Sequence, residues 1–245
     1  MKFIRKSYRG LETRNQSYVD SNGRTITISG AMHLSTPEAW KSLIAYLVEA
    51  ERNGASIHLE GVQPVPDVVL TEQEQKGITV ISGLIKMGKS FAAITGLQHQ
   101  TDAFLDAPKW EKHDLNLLEV VKGIDDKTVN LIAGFPVDSI NISGKRAVNS
   151  LRNINLTRIA GFFIPMVRRL MSALIDSRNE YAINKAIETK GDVVLFWGAA
   201  HLSGMHKLLV KAGFKPAKTE WRVVLPNSYK APTTVTENKL NLKEA

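Results

Sequence analysis

A chain of 245 residues with 43% hydrophobic content can bury one sizeable core, and having no cysteine it excludes disulfides, thiolate metal sites and cysteine nucleophiles. The formal charge of +8 is uneven: Ser139 to Ile175 carries Lys145, Arg146, Arg152, Arg158, Arg168 and Arg169 with no carboxylate, which suits an acidic partner or an anionic membrane surface along 145–169. Aromatics do not interleave with these charges, so no nucleic acid is expected.

The N-terminus has positive charge but no apolar run of the signal-peptide kind. The apolar stretch Ile159 to Val167 is far short of the ~20 residues that span a bilayer. The expectation is a soluble, cytoplasmic protein.

Arg24 to Ser29 (RTITIS) alternates apolar and polar residues as a half-buried strand does, and Asn22-Gly23 marks a turn from a partner at Ser17 to Asp20. Thr36-Pro37-Glu38 opens a helix, where proline's missing N–H would lack a partner anyway. Trp40, Leu43, Ile44, Leu47 and Val48 give that helix one apolar face, and Asn53-Gly54 ends it. Ala55 to Leu59 reads as the next strand and delivers Glu60-Gly61. Thr71 to Ala93 reads as two helices broken near Gly77, followed by short helices at Leu115 to Lys122 and Lys127 to Ala133.

Arg146 to Leu156 and Thr157 to Leu174 read as apolar–basic helices, the second kinked or split near Pro165, and Asp176 to Thr189 as another. Asp192 to Trp197 (DVVLFW) is a buried strand; Met205, Leu208, Leu209 and Ala212 form a helical stripe closed by Gly213; Thr219 to Leu225 is a last strand. From Pro226 the composition turns to Pro, Thr, Asn and Lys, a disordered tail over 226–245. The expected fold is α/β: one domain over 1–225, with a mixed central β-sheet built from two related halves, flanking helices and a helical insertion at about 71–190.

One hexapeptide occurs twice with a single change, GAMHLS at Gly30 to Ser35 and GAAHLS at Gly198 to Ser203. Both copies follow a strand and precede a helix. Ligands in open α/β folds gather at the carboxyl ends of strands, and glycine lets the backbone pass close to them. Neutral imidazole ligates divalent metals and shuttles protons near neutral pH. Taken singly, His33 or His201 is more simply a capping or core residue; the matched settings favour a shared crevice.

Glu60 ends the strand after the His33 helix, and a buried carboxylate needs a partner or a metal. His33, His201 and Glu60 would make a ligand set with a position left for water. With no thiolate, manganese, zinc and cobalt are all admissible.

His58 shares a strand face with Glu60; it could ligate or support, though a half-exposed strand residue is the plainer reading. Arg178, next to Asn179, could clamp a substrate carboxylate or stabilise an oxyanion, while spacing alone makes it a helix-surface arginine. Asp114 reads as the cap of the helix from Leu115. Gly83 to Ser90 (GLIKMGKS) fits a phosphate-binding loop by letters, but its interior is bulky and no strand ending in aspartate is evident to help hold magnesium.

Gly30-Ala31-Met32-His33, Gly198-Ala199-Ala200-His201-Leu202-Ser203-Gly204, Glu60 and Arg178-Asn179 together resemble the TraB/GumN/Tiki family, related to the erythromycin-esterase and ChaN-like proteins. The resemblance runs from about Gly30 to Val224. It implies a mixed sheet with a cleft between related halves, and metal-dependent proteolysis or shutdown of peptide signals. By motif match His33, His201 and Glu60 would be metal-site or catalytic residues, with Arg178 and Asn179 supporting the site or the substrate.

The chain departs from many relatives in showing no anchor or signal peptide, and in having Glu60-Gly61-Val62 where some carry a further acidic residue. The expected function is a metal-dependent hydrolase, a peptidase with a peptide or protein substrate. Glu60 is a ligand or general base and Arg178 an oxyanion stabiliser. The alternative is a non-catalytic protein that sequesters a peptide or acidic partner in the same cleft.

Overall fold

The computed structural model describes residues 2–133 and 164–231. The strand expected at Arg24 to Ser29 is β3 (Thr25–Ala31), and its antiparallel partner β2 (Gly10–Val19) is much longer than expected. The turn between them needs Gly23 at φ +81°, while the Asp20 carboxylate accepts from the backbone N–H groups of Asn22 and Arg24. Strand β1 (Ile4–Lys6) pairs with the first part of β2.

Beyond β3 the sheet turns parallel. Strand β8 (Val193–Gly198) lies between β3 and β5 (Ser56–Leu59), and β5 pairs in turn with the short β7 (Glu111–Lys112). Strand β9 (Lys215–Pro226) closes the far side against β2. A small second sheet joins β4 (Leu34–Ser35) to β6 (Gln98–His99). The molecule is an α/β fold with a mixed central sheet flanked by helices, as expected.

Each face of the sheet buries its own core. Helix α1 (Pro37–Arg52), capped by the Thr36 hydroxyl, packs Trp40, Leu43 and Leu47 onto Ala31, Ile57, Leu59, Val194 and Phe196. Helix α6 (Ile164–Glu188) and helix α7 (Leu202–Lys211) cover the other face. There Ile183, Met205 and Leu209 meet Ile26, Ile28, Leu195 and Trp197. Strand β8 is buried on both faces, so it reads as an unbroken apolar run. Sealing a side chain such as Leu47 or Leu195 contributes about 1.5–3 kcal/mol.

Two expected helix breaks are absent, and the phosphate-loop letters fail as their composition argued. Residues Glu72–Thr95 form one helix, α2, not two. Gly77 does not break it but admits a neighbour: a Cβ there would lie 2.4 Å from Val121 Cγ1. The phosphate-loop letters at Gly83 to Ser90 lie inside α2, where backbone amides are spent on the helix ladder and cannot cradle a phosphate. Residues from Ile164 to Glu188 form a single helix with Pro165 in its first turn, so the break expected between Leu174 and Asp176 is absent.

By length and composition α2 is also the candidate membrane-spanning helix among the described residues. It packs on α4 (Leu117–Lys122) and α5 (Asp126–Ala133), with Ile81 against Val121, Ile124 and Val129. The helix expected at Arg146 to Leu156 and the tail from 232 lie outside the described residues, as do Lys145, Arg146, Arg152 and Arg158. Tyr229 lies within them and donates its hydroxyl to the Thr95 carbonyl, 2.8 Å away.

Candidate active site

The parallel strands β3, β8 and β5 end side by side, and both copies of the repeated motif with Glu60 leave from those ends. Glu60 is almost fully buried and its carboxylate is held from several sides. Oε2 accepts from the Gly198 backbone N–H at 2.5 Å, and Oε1 accepts from Arg178 Nη2 at 2.9 Å. His201 Nε2 stands 3.4 Å and His33 Nε2 3.8 Å from that same Oε1. The structure thus brings together His33, His201, Glu60 and Arg178, although they lie far apart in the chain.

The two imidazoles are oriented from behind. His201 Nδ1 lies 2.8 Å from Asn179 Oδ1, and His33 Nδ1 lies 2.9 Å from Gln100 Oε1. An amide oxygen only accepts, so each Nδ1 donates its proton to it and each Nε2 faces Glu60. The Gln100 N–H also donates to the His33 carbonyl at 2.9 Å, tying the His33 turn to the start of α3 (Gln100–Ala103). His201 is buried at the N-cap of α7, edge-on to the Trp197 ring. His33 is different, with 55% of its side chain exposed.

Arg178 is buried on α6, and its donors are already engaged. Nε and Nη2 grip Asp114 Oδ1 and Oδ2 at 2.9 and 2.6 Å, Nη2 also reaches Glu60, and Nη1 donates to the Leu174 carbonyl. Asp114 accepts further from the backbone N–H groups of Gly61 and Leu115. The side chain that caps α4 is Asn116, so Asp114 serves the site rather than the helix end. Burial opposes ionisation of Glu60, but His33, His201 and Arg178 outweigh it and hold the carboxyl well below the usual carboxylate range. Burial likewise opposes the charge on Arg178, and Asp114 with Glu60 more than restores it, raising its pKa.

Glycines allow these close approaches. A Cβ on Gly198 would lie 3.0 Å from Glu60 Oε2 and 3.2 Å from His33 Nε2. One on Gly204 would lie 2.3 Å from Asn179 Nδ2, so α7 can approach α6 only with glycine there. His58, expected half-exposed, is buried and engaged elsewhere. Its ring packs tilted against that of His113 at 3.8 Å between centroids and meets Thr189, and burial, reinforced by His113 and Arg24, lowers its pKa to about 4.

Sequence reasoning missed Gln100 as an orienting group and took Asp114 for a cap; a lone polar residue in a loop carries no periodic signal for either role. Among the described residues no three His, Asp or Glu side chains stand as a ready-made metal cage. The donor types nevertheless fit a divalent ion: two imidazoles with Nδ1 anchored on amide oxygens, and a carboxylate that stays ionised. No protein-family model matches the chain, and no curated protein matches it.

Proposed function

We propose that the protein is a metal-dependent hydrolase, with peptide bonds as its substrate class. One observation carries the reading: two imidazoles anchored through Nδ1 turn Nε2 to one oxygen of a buried carboxylate, the donor types of a divalent-ion ligand set brought to one point from three strand ends. His33, His201 and Glu60 would hold a divalent ion, manganese, zinc or cobalt. Such an ion supplies a water of lowered pKa and polarises a carbonyl. Peptide bonds come from the resemblance to the TraB/GumN/Tiki proteins.

The chain's own residues then take distinct parts. Glu60 has too little proton affinity for a general base and acts as a fixed negative charge. Arg178 is a positioning residue: its donors hold Glu60 and Asp114 in place, which leaves oxyanion stabilisation to other groups. Asn179 holds His201 in the tautomer that frees Nε2. His33, the exposed member, marks the side from which substrate arrives.

The test is elemental analysis of protein purified without a histidine tag, beside the His33→Ala/His201→Ala double variant, with turnover of a peptide library. Stoichiometric ion and turnover in wild type, both lost in the variant, support the reading. Peptide binding without ion or turnover would replace it with sequestration.

A further inference from the structure

A cleft of about 270 Å³ opens on the α1 face, between the end of β3, α1 and β9. Met32, Trp40, Leu43 and Val224 line it with apolar groups, and Arg9 and Arg222 line it as well. Its charge is not balanced. Arg5 and Arg9 share the single carboxylate of Glu12, while Lys218 takes Glu220 at 2.7 Å. Arg222 comes no closer than 3.8 Å to Glu220 and stacks on the Tyr46 ring at 3.7 Å. Its Nε is buried with no hydrogen-bond partner among the described residues. Of the two cations that line the cleft, Arg9 is paired with Glu12, while Arg222 keeps a buried Nε–H without a hydrogen-bond partner.

We propose that this cleft binds a carboxylate joined to an apolar group, of the size of one terminal amino-acid residue. A guanidinium offers a planar pair of donors that matches a carboxylate, and the apolar lining favours an apolar body over a bare anion. The volume lies at the low edge of ligand sites, which limits the occupant to a single residue. Met32 on the wall precedes His33 in the chain, so in a hydrolase the cleft would seat the terminal residue of a peptide. That extension rests on the proposed function; the binding itself does not.

Isothermal titration of the full chain with N-acetylphenylalanine, its amide and inorganic phosphate tests the inference. The acid should bind at least about tenfold more tightly than the amide or phosphate, and Arg222→Gln should weaken the acid by about tenfold, with Arg222→Lys in between. Equal binding of acid and amide, phosphate as tight as the acid, or no response to Arg222→Gln would overturn it. Should Arg222→Gln fail to fold, the acid–amide comparison on wild type decides alone. A chain that binds the acid but hydrolyses nothing refutes the hydrolase and keeps the cleft, whereas hydrolysis of peptides without binding of the acid refutes the cleft alone.

Discussion

The two copies of the Gly-Ala-x-His-Leu-Ser motif end neighbouring parallel strands, yet they are out of step by one residue: Gly30 stands opposite Trp197 and Ala31 opposite Gly198. The slip gives the two first glycines different neighbours. Gly30 makes room for Leu202 and the Arg14 carbonyl, and Gly198 for Glu60 and His33. In the second copy a helix starts immediately, so His201 sits buried at its N-cap and is locked by Asn179. In the first copy β4 intervenes before α1, and His33 hangs half-exposed from Gln100. Similar letters therefore produce one rigid imidazole built into the core and one facing outward. They meet only because Glu60, from a third strand, lies between them.

Removing what the copies share should have the largest effect. Arg178→Met leaves Glu60 and Asp114 buried without their cation, and breaking a buried pair costs about 3–5 kcal/mol. Urea unfolding checks this; a loss under about 1 kcal/mol would show that the network is not what fixes Glu60. The same network sets a pH dependence. A carboxyl whose folded pKa is depressed adds stability above its unfolded value and loses it as pH falls toward the folded one. The stability gap between wild type and Glu60→Gln should thus shrink as pH falls below the unfolded value of 4.5. A gap that widens below that pH would overturn the assignment of a depressed carboxyl.

Next in size is the contrast between the imidazoles. His201→Ala opens a cavity beside Trp197 and strands the Asn179 oxygen, a loss of about 2–3 kcal/mol. His33→Ala removes a half-exposed ring and should stay within about 0.5 kcal/mol of wild type. Both should abolish ion retention in elemental analysis. Equal stability losses would erase the distinction between a rigid and an outward imidazole.

The sequence made parts of this legible for reasons that can be named. Apolar runs and capping residues around each motif announced β3, α1, β5, β8 and α7, because burial on one or both faces imposes a period. His33, His201 and Glu60 stood out because each ends such an element. Strand β2 was mostly hidden, since Glu12, Thr13, Asn15 and Gln16 are buried there and erase the alternation that signals a strand. Gly77 read as a break because its reason, the side chain of Val121, lies on another helix. Asp114 and Gln100 were illegible for the same cause: their roles exist only between elements, and no local pattern records them. Arg178 was visible, but whether its donors were free for substrate depended on partners distant in the chain.

The smallest effects separate the two glycines. Gly30→Ala would put a Cβ 2.6 Å from Leu202 Cδ2 and 3.0 Å from the Arg14 carbonyl oxygen. Leu202 can turn aside, but the backbone carbonyl belongs to the sheet, so the variant should lose about 1–3 kcal/mol to overpacking. Gly198→Ala meets no backbone atom; its close neighbours are the Glu60 carboxylate and the half-exposed His33 ring. His33 can yield toward solvent, so the stability loss should be the smaller of the two while ion retention falls, because the ring that moves is a proposed ligand. Denaturation and elemental analysis of the two variants side by side read this directly. If Gly30→Ala disturbed the ion and Gly198→Ala only the fold, the one-residue slip would not be what divides structural from functional glycine.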